Sequence, residues 1–350
     1  MNDLSSDKIS FTNLIEDVVD QNHCVACGTC EAVCPVNVIR LDNFVPILVG
    51  KCIECGICYS TCPRTDFDDD ALEETVYGRT RNDGEQLTGV YSEVFAARAI
   101  PSDIQERAQD GGVVTAILTQ FLDDGGDGVI VAGLDKEHPW LPKPIVARTR
   151  DEIVKAAGTK YTPSPTLVGL KKAVKNDKLE KVAVVGTPCQ MRGLTRLTDG
   201  PMKNIKYRNS VELKIGLFCM ETFNHDSFIE YLSENDVDPA KVTKFEIKNG
   251  RFYAHAGEER LHRVRLKKVK NLIRSCCSQC DDFTSEYADI SVGNVGSPSG
   301  YSTVLVRTER GKKALDSAIK AGIVDASPIE DFEKGETLVH KLAEMKKGSH

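Results

Sequence analysis

Apolar residues recur at helical spacing in FTNLIEDVVD, where Phe11, Leu14, Ile15, Val18 and Val19 share one face, so the pattern predicts an amphipathic helix. Its stripe is expected to pack on the protein itself, with docking to a partner as the alternative. The stretch VIRLDNFVPILVG alternates apolar and polar positions and predicts a short hairpin. Periodicity then weakens. Residues 64–90 are acidic at first and later rich in Gly, Asn and Asp, the composition of a connector lying across a surface.

From about Tyr91 two periods alternate. DGVIVAG, KVAVVG, VELKIGLFC, ADISVG and STVLVRT have the length and composition of strands. LVGLKKAVKND, QMRGLTRLTD, HDSFIEYLSEN and GKKALDSAIKAG have helical spacing, the last ending at Gly322. VTKFEIKNGRFYAH folds back at Asn249-Gly250, a hairpin turn. The expected architecture is a small N-terminal unit over residues 1–63, the connector, and a larger α/β or α+β domain with a substantial mixed sheet over residues 91–350.

Composition narrows the setting. An apolar content of 41% and a charged content of 28% are ordinary for a globular chain of 350 residues. The net charge of −7, with no long basic run, argues against nucleic acid or an anionic membrane surface as a direct partner. The opening MNDLSSDK lacks a basic segment followed by an apolar one, so no secretory leader is expected. No stretch approaches about 18 apolar residues, so no direct membrane insertion is expected either. The expectation is a cytoplasmic protein, held on the inner face of a membrane at most through a partner complex. Thirteen cysteines in that reducing setting point to metal binding or catalysis rather than to disulfides.

Eight of them fall in two copies of C-x2-C-x2-C-x3-C-P, Cys24 to Pro35 and Cys52 to Pro63. This is the bacterial ferredoxin spacing for two 4Fe–4S clusters, in which the fourth cysteine of each run serves the other cluster. Cys24, Cys27, Cys30 and Cys62 are expected to hold one cluster, and Cys52, Cys55, Cys58 and Cys34 the other. Gly28 and Gly56 let the backbone approach the inorganic core. A structural zinc site would show two Cys pairs separated by a longer loop, which fits this pattern badly. His23, beside Cys24, is expected at the surface or behind the ligands, and none of the seven histidines is nominated as catalytic.

Five cysteines remain. Cys189 and Cys219 each follow a strand and so lie at the carboxyl edge of the sheet, where ligands collect in open α/β folds. Cys276, Cys277 and Cys280 share SCCSQC. Cys189, Cys219, Cys277 and Cys280 would make a third set of four thiolates, with Cys276 able to replace Cys277; buried free cysteines are the alternative for Cys189 and Cys219. Three loops are candidates to meet a cofactor phosphate. Gly111-Gly112 open an apolar helix, whose N-terminus favours an anion. Gly293, Gly296 and Gly300 lie between two strands in VGNVGSPSGYS, and Lys160 lies in GTKYTPSP. By composition alone each of the three reads as a simple turn.

Taken in order, QDGGVVTAIL, AGTKYTPSP, VVGTPCQMRGL, GLFCME and SQCDDFTSEYADISVGNVGSPSGYSTVLVRTERG resemble the family of beta subunits of coenzyme F420 hydrogenases and dehydrogenases, over about residues 91–330. A two-cluster ferredoxin module ahead of that domain resembles the electron-input component of F420H2 dehydrogenase complexes and the N-terminal half of F420-dependent sulfite reductase. With no siroheme domain following, the input component is the preferred likeness. The resemblance implies a mixed-sheet domain binding FAD, reduced coenzyme F420 as hydride donor, and a third 4Fe–4S cluster on Cys189, Cys219, Cys277 and Cys280. The extra Cys276 departs from the family's single cysteine there and leaves the register open. It implies FAD contacts at Gly111, Gly112, Lys160, Tyr161, Thr187 and Asn294. A flavin is then the link between a two-electron hydride donor and one-electron clusters. Electrons would leave to membrane-bound, complex I-like F420H2 dehydrogenase subunits or another redox protein. The alternatives are the beta subunit of an F420-reducing formate dehydrogenase or hydrogenase, and a non-enzymatic polyferredoxin relay.

Overall fold

The computed structural model describes residues 8–332 and 335–348. The chain's first residues, on which the expectation of no leader rests, lie outside them. The expected first hairpin is present as β1 (Ile39–Asp42) and β2 (Val45–Leu48). Its turn residues Asn43 (φ 43°) and Phe44 (φ 67°) are both left-handed, the twist that suits a two-residue hairpin loop.

The strands that follow are β3 (Glu93–Ala99), β4 (Gly128–Leu134), β5 (Pro142–Ala147), β6 (Val182–Gly186) and β7 (Val211–Leu217). After them come β8 (Lys244–Lys248), β9 (Arg251–Ala256), β10 (Glu259–Arg265), β11 (Ile290–Gly293), β12 (Ser302–Val306) and β13 (Val324–Pro328). Strands β8 to β10 make a small antiparallel sheet, and the rest of the large domain's strands make one sheet in the order β13-β3-β12-β11-β7-β6-β4-β5. Its centre, β11-β7-β6-β4, is parallel, and antiparallel strands flank it on both sides. Along β6, Val182 and Val184 face one core and Ala183 and Val185 the other. That two-sided burial explains why the strand is a continuous apolar run.

Helices cover both faces. Val113–Asp123 and Glu309–Lys320 lie on one, Thr166–Lys171 and Pro188–Asp199 on the other. The second face also carries the N-terminal unit. Phe11, Leu14, Val18, Ala32 and Val33 share a core with Leu167, Leu170, Val174, Met191 and Leu194, so the two parts are not beads on a string. The first helix, Phe11–Leu14 continued as the π-helix Ile15–Val19, buries Phe11, Leu14 and Val18 there. Its stripe packs on its own protein.

Residues 64–90, read from the sequence as a connector across a surface with weak periodicity, contain a helix. Asp69–Tyr77 is a helix capped by Asp68, whose carboxylate accepts from the Ala71 N–H at 3.0 Å. Leu72 and Glu73 on it are buried. Arg81 clamps Glu73 and also reaches Glu286 at 2.7 Å. Asp69 pairs with Arg192 at 2.5 Å and accepts from the Tyr287 hydroxyl at 2.9 Å. A paired carboxylate occupies a position where periodicity looks for an apolar residue, which is why the sequence pattern missed this helix.

The small sheet packs one face on the helix His225–Glu234 through Phe228, Leu232, Phe245 and Phe252. Its β8–β9 turn is the one expected, Asn249 at φ 50° and Gly250 at φ 69°. Trp140, in the β4–β5 loop, has its ring 4.3 Å from that of Phe245 and seats the small sheet over the carboxyl edge of the large one.

Candidate metal and cofactor site

Two hollows lie in the N-terminal unit. One is lined by Cys24, Cys27, Cys30 and Cys62, the other by Cys34, Cys52, Cys55 and Cys58. The fourth cysteine of each run therefore crosses to the other set. The backbone arranges this. Gly28 (φ 87°) and Gly56 (φ 70°) turn the chain into the short helices Thr29–Val33 and Ile57–Ser60. Ala26 (φ 56°) and Glu54 (φ 54°), at equivalent places in the two runs, are left-handed although neither is glycine. A side chain at Gly28 would strike Val168 of the large domain.

Burial pushes the Cys27 thiol up to about 12, with Cys62 adding to it. It pushes Cys58 to about 12 as well, with Cys55, Cys52 and Cys34 contributing, and Cys62 to about 11. Bare thiolates are unfavourable in such sets, so ionisation needs a bound cationic core, which iron–sulfur ligation supplies. Among the described residues no three His, Cys, Asp or Glu side chains close on one point as ligands of a single ion would. A four-iron core holds its thiolates further apart than one zinc does.

The remaining cysteines meet at the carboxyl edge of the large sheet. Cys189 lies in the first turn of Pro188–Asp199 after β6, Cys219 follows β7, and Cys277 and Cys280 come from the turn at Ser275–Gln279 and just beyond. Burial holds Cys219 well above its ordinary range, and Cys277, Cys189 and Cys280 all add to the effect, so all three lie near it. The Cys277 sulfur accepts from the Thr222 N–H at 3.4 Å. Its hydrogen bond with Cys276 holds Cys277 below the ordinary thiol range. Cys276 packs with Val25, Cys27, Cys189 and Cys277, between this set and the first hollow.

Buried and half-buried cations surround the sets. Arg64 donates to the Gln279 carbonyl at 2.6 Å and the Cys276 carbonyl at 3.0 Å, and its buried Nε has no protein partner. Arg274 donates to the carbonyls of Cys24 (3.0 Å) and Val25 (3.1 Å). Arg196 donates to the Cys62 carbonyl, the Thr65 carbonyl at 3.0 Å and the Thr65 hydroxyl at 3.1 Å. Lys346 donates to the carbonyls of Met220 (2.5 Å) and Cys277 (3.0 Å). Sequence reasoning found none of the four, because a cation donating to carbonyls from a distant segment has no motif.

The glycine loop lies at the same edge. The Gly111 N–H donates to the Ser302 hydroxyl at 3.2 Å, and a side chain there would strike the Ala97 carbonyl and Ser302 N. Gly112 (φ 72°) opens Val113–Asp123. Burial holds the carboxyl of the preceding Asp110 above the usual range, and Asn294, just after β11, is near enough to act on it. Burial pushes the Tyr161 hydroxyl up, with Asp110 and Glu246 adding to it. The Thr159 N–H donates to Gln109 Oε1 at 3.3 Å, tying that segment to the loop. Lys160 donates to the carbonyls of Ala156, Ala157 (3.1 Å) and Gly158 (2.9 Å), and burial alone lowers it to about 8. Gly111, Gly112, Lys160, Tyr161 and Asn294 are thus brought together. The Thr187 hydroxyl lies 3.3 Å from the Cys189 sulfur, and its N–H donates to Gln190, whose amide donates to the Ser164 carbonyl at 2.5 Å. A cation without a carboxylate, on a segment tied to the loop that opens a helix, fits a phosphate.

No helix among the described residues is long and apolar enough to cross a membrane. Residues 94–171 and 179–332 match the N-terminal and C-terminal parts of the coenzyme F420 hydrogenase/dehydrogenase beta subunit, and residues 23–67 match a 4Fe-4S dicluster domain. The chain is 39% identical to the beta subunit of the coenzyme F420 hydrogenase of Methanothermobacter thermautotrophicus over 263 residues, 75% of this chain and 93% of that one. It is 31% identical to a subunit of the F420H2 dehydrogenase of Methanosarcina mazei over 342 residues, 95% of this chain and 92% of that one. A chain of the F420-reducing [NiFe] hydrogenase complex from Methanosarcina barkeri superposes with a TM-score of 0.71 at 37% identity, covering 75% of this chain and 91% of that one.

Proposed function

The chain belongs to the family of coenzyme F420 hydrogenase/dehydrogenase beta subunits, with a 4Fe-4S dicluster domain ahead of the family domain, and on that premise we propose that it oxidises reduced coenzyme F420 and delivers the electrons singly to a redox partner. The partner would be the remaining subunits of an F420H2 dehydrogenase, a membrane-bound complex of the complex I type. The match to the Methanosarcina mazei F420H2 dehydrogenase component supports this choice, because it runs through both parts of the chain.

One observation carries the reading. Cys27 of the first hollow and Cys189 and Cys277 of the large domain pack in one cluster with Val25 and Cys276. A route from the third thiol set to the N-terminal unit therefore needs no gap. FAD, when bound, supplies the conversion of a hydride into single electrons, and 4Fe–4S clusters supply one-electron sites. The chain's own residues bind and hold. Cys189, Cys219, Cys277 and Cys280 are the ligands assigned to the third cluster, with Cys276 outside it. Gly111, Gly112 and Asn294 line the flavin's place, Lys160 neutralises a phosphate, and Tyr161 walls the cleft beside Phe223, ring centroids 6.3 Å apart. Thr187 steadies Cys189, its hydroxyl 3.3 Å from the sulfur, and stands between the third thiol set and the flavin's place. The greater identity to the hydrogenase beta subunit, 39%, favours a second reading in which the same domain reduces F420 with electrons from a partner.

Analysis of anaerobically purified chain tests the proposal. FAD together with iron and sulfide for three 4Fe–4S clusters is the expected content. Full cluster content with no flavin would overturn it in favour of an electron relay.

A further inference from the structure

The face of the small sheet turned away from its aromatic core is a grid set by strand register. Three rows cross it: Lys244, His255, Arg260; Glu246, Tyr253, Arg263; and Lys248, Arg251, Arg265. A β-bulge between Arg260 and His262 keeps Arg260 on this face. Six of the nine positions are Lys or Arg, in a chain whose net charge is −7. Among the described residues, only one ion pair lies within the grid, His255 to Glu246 at 3.9 Å. Among the same residues, Lys248, Arg251, Arg260, Arg263 and Arg265 have no carboxylate within ion-pair reach, whereas Arg81 and Arg192 elsewhere are paired.

Like charges directly opposite on neighbouring strands destabilise a sheet. Lys248, Arg251 and Arg265 stand in one such row, so the arrangement works against folding and calls for a ligand. The opposite face gives no such conflict, being Phe245, Ile247, Phe252, Ala254 and Val264 with the single His262. The grid also borders the proposed flavin cleft. Lys244 donates to the carbonyls of Ala108 and Gln109, both at 3.2 Å, immediately before the glycine loop. Lys248 stands near enough to Asp110 to act on its carboxyl.

We infer that this basic face binds an oligoanionic tail of the substrate, a run of phosphate and carboxylate groups leading away from a ring held at the glycine loop. The inference rests on the F420 reading for its substrate. That coenzyme carries its deazaflavin on a phosphodiester followed by γ-linked glutamates, which is the chemistry the grid complements. Tyr253, flanked by Arg263, gives the tail's apolar segments a surface, and the spacing of strands lets successive anions meet successive arginines.

The test uses full-length holoprotein, the double variant Arg263→Gln/Arg265→Gln, and the conservative Arg263→Lys/Arg265→Lys as a control for folding. The probes are a γ-linked glutamate oligomer alone, reduced coenzyme F420, and the deazaflavin nucleoside lacking phosphate and tail. The parent is expected to bind the oligomer with an affinity that falls as salt rises. The glutamine variant loses that binding, and its KM for reduced F420 rises about tenfold or more at unchanged kcat. The tail-less nucleoside reacts equally with both proteins, and the lysine variant recovers most of the binding. Failure of the parent to bind the oligomer overturns the inference, as does an equal loss on both substrates. Unchanged KM with slower transfer to the partner complex would assign the face to an acidic protein instead. Oligomer binding by a parent that does not oxidise F420 would sink the proposed reaction and leave the basic face standing.

Discussion

Arg64 donates to the main-chain carbonyl of Cys276 at 3.0 Å, across 212 positions of sequence. The contact fixes the end of the second cysteine run to the loop that carries Cys277 and Cys280. It also places a guanidinium, charged at every accessible pH, between the first hollow and the third thiol set.

Arg64→Gln is expected to lower the reduction potentials of those two clusters and leave the one on Cys34, Cys52, Cys55 and Cys58 unmoved. A unit charge about 8–10 Å away at an effective dielectric near 20 is worth about 2 kcal/mol, or roughly 70–90 mV for one electron. Redox titration followed by electron paramagnetic resonance reads all three in one sample. A uniform shift, or none, contradicts the assignment.

The crossed hollows make a sharper claim about ligation. Cys62→Ser should abolish the same paramagnetic signal as Cys24→Ser, although Cys62 belongs to the other run. Cys34→Ser should match Cys52→Ser. Loss by run rather than by hollow would show that the fourth cysteines serve their own neighbours.

In SCCSQC the neighbours of Cys219 select Cys277. Cys277→Ser is expected to remove the third cluster, and Cys276→Ser to keep it. Iron content, against the parent, decides between them; the reverse pattern would move the ligand one residue.

Arg196 is buried without a carboxylate, with its guanidinium on the carbonyls beside Cys62 and 4.3 Å above the Phe67 ring. Arg196→Met leaves those carbonyls unsatisfied where the two parts of the chain share a core. A cost on the order of 3 kcal/mol is expected. It should appear as faster loss of the first cluster to an iron chelator while the third persists.

Lys160 gives a pH dependence. Burial lowers it from 10.5 to about 8, so between those values the unfolded chain binds the proton and the folded chain does not. Stability of flavin-free protein should therefore rise with pH from about 8 to about 10.5 relative to Lys160→Met. FAD affinity should move the opposite way, falling as pH rises through about 8, because only the protonated amine attracts a phosphate. Parallel pH profiles of parent and variant would remove Lys160 from the site.

The two cysteine runs are legible in the sequence because metal ligation imposes spacing directly on it. Asn249-Gly250 is legible because its left-handed turn restricts residue choice. The junction is not. Phe11 and Leu14 look like any core residues, and nothing in their spacing says that Leu167 and Met191 are their partners. Glu73 hides its helix by being buried as an ion pair. The basic face escapes through averaging: a chain-wide charge of −7 argues against anionic surfaces, yet register gathers Arg260, Arg263 and Arg265 with Lys248 and Arg251 on one side of one sheet.

The central claim is that electrons from reduced F420 enter at the glycine loop and reach the N-terminal clusters within this one chain. The most direct measurement is anaerobic stopped-flow mixing of the holoprotein with reduced coenzyme F420, following the F420, flavin and iron–sulfur bands together. Rising F420 absorbance as the flavin and cluster bands bleach is the predicted result. Cluster bands that stay unchanged while fully flavin-loaded protein is mixed with reduced F420 would contradict the account.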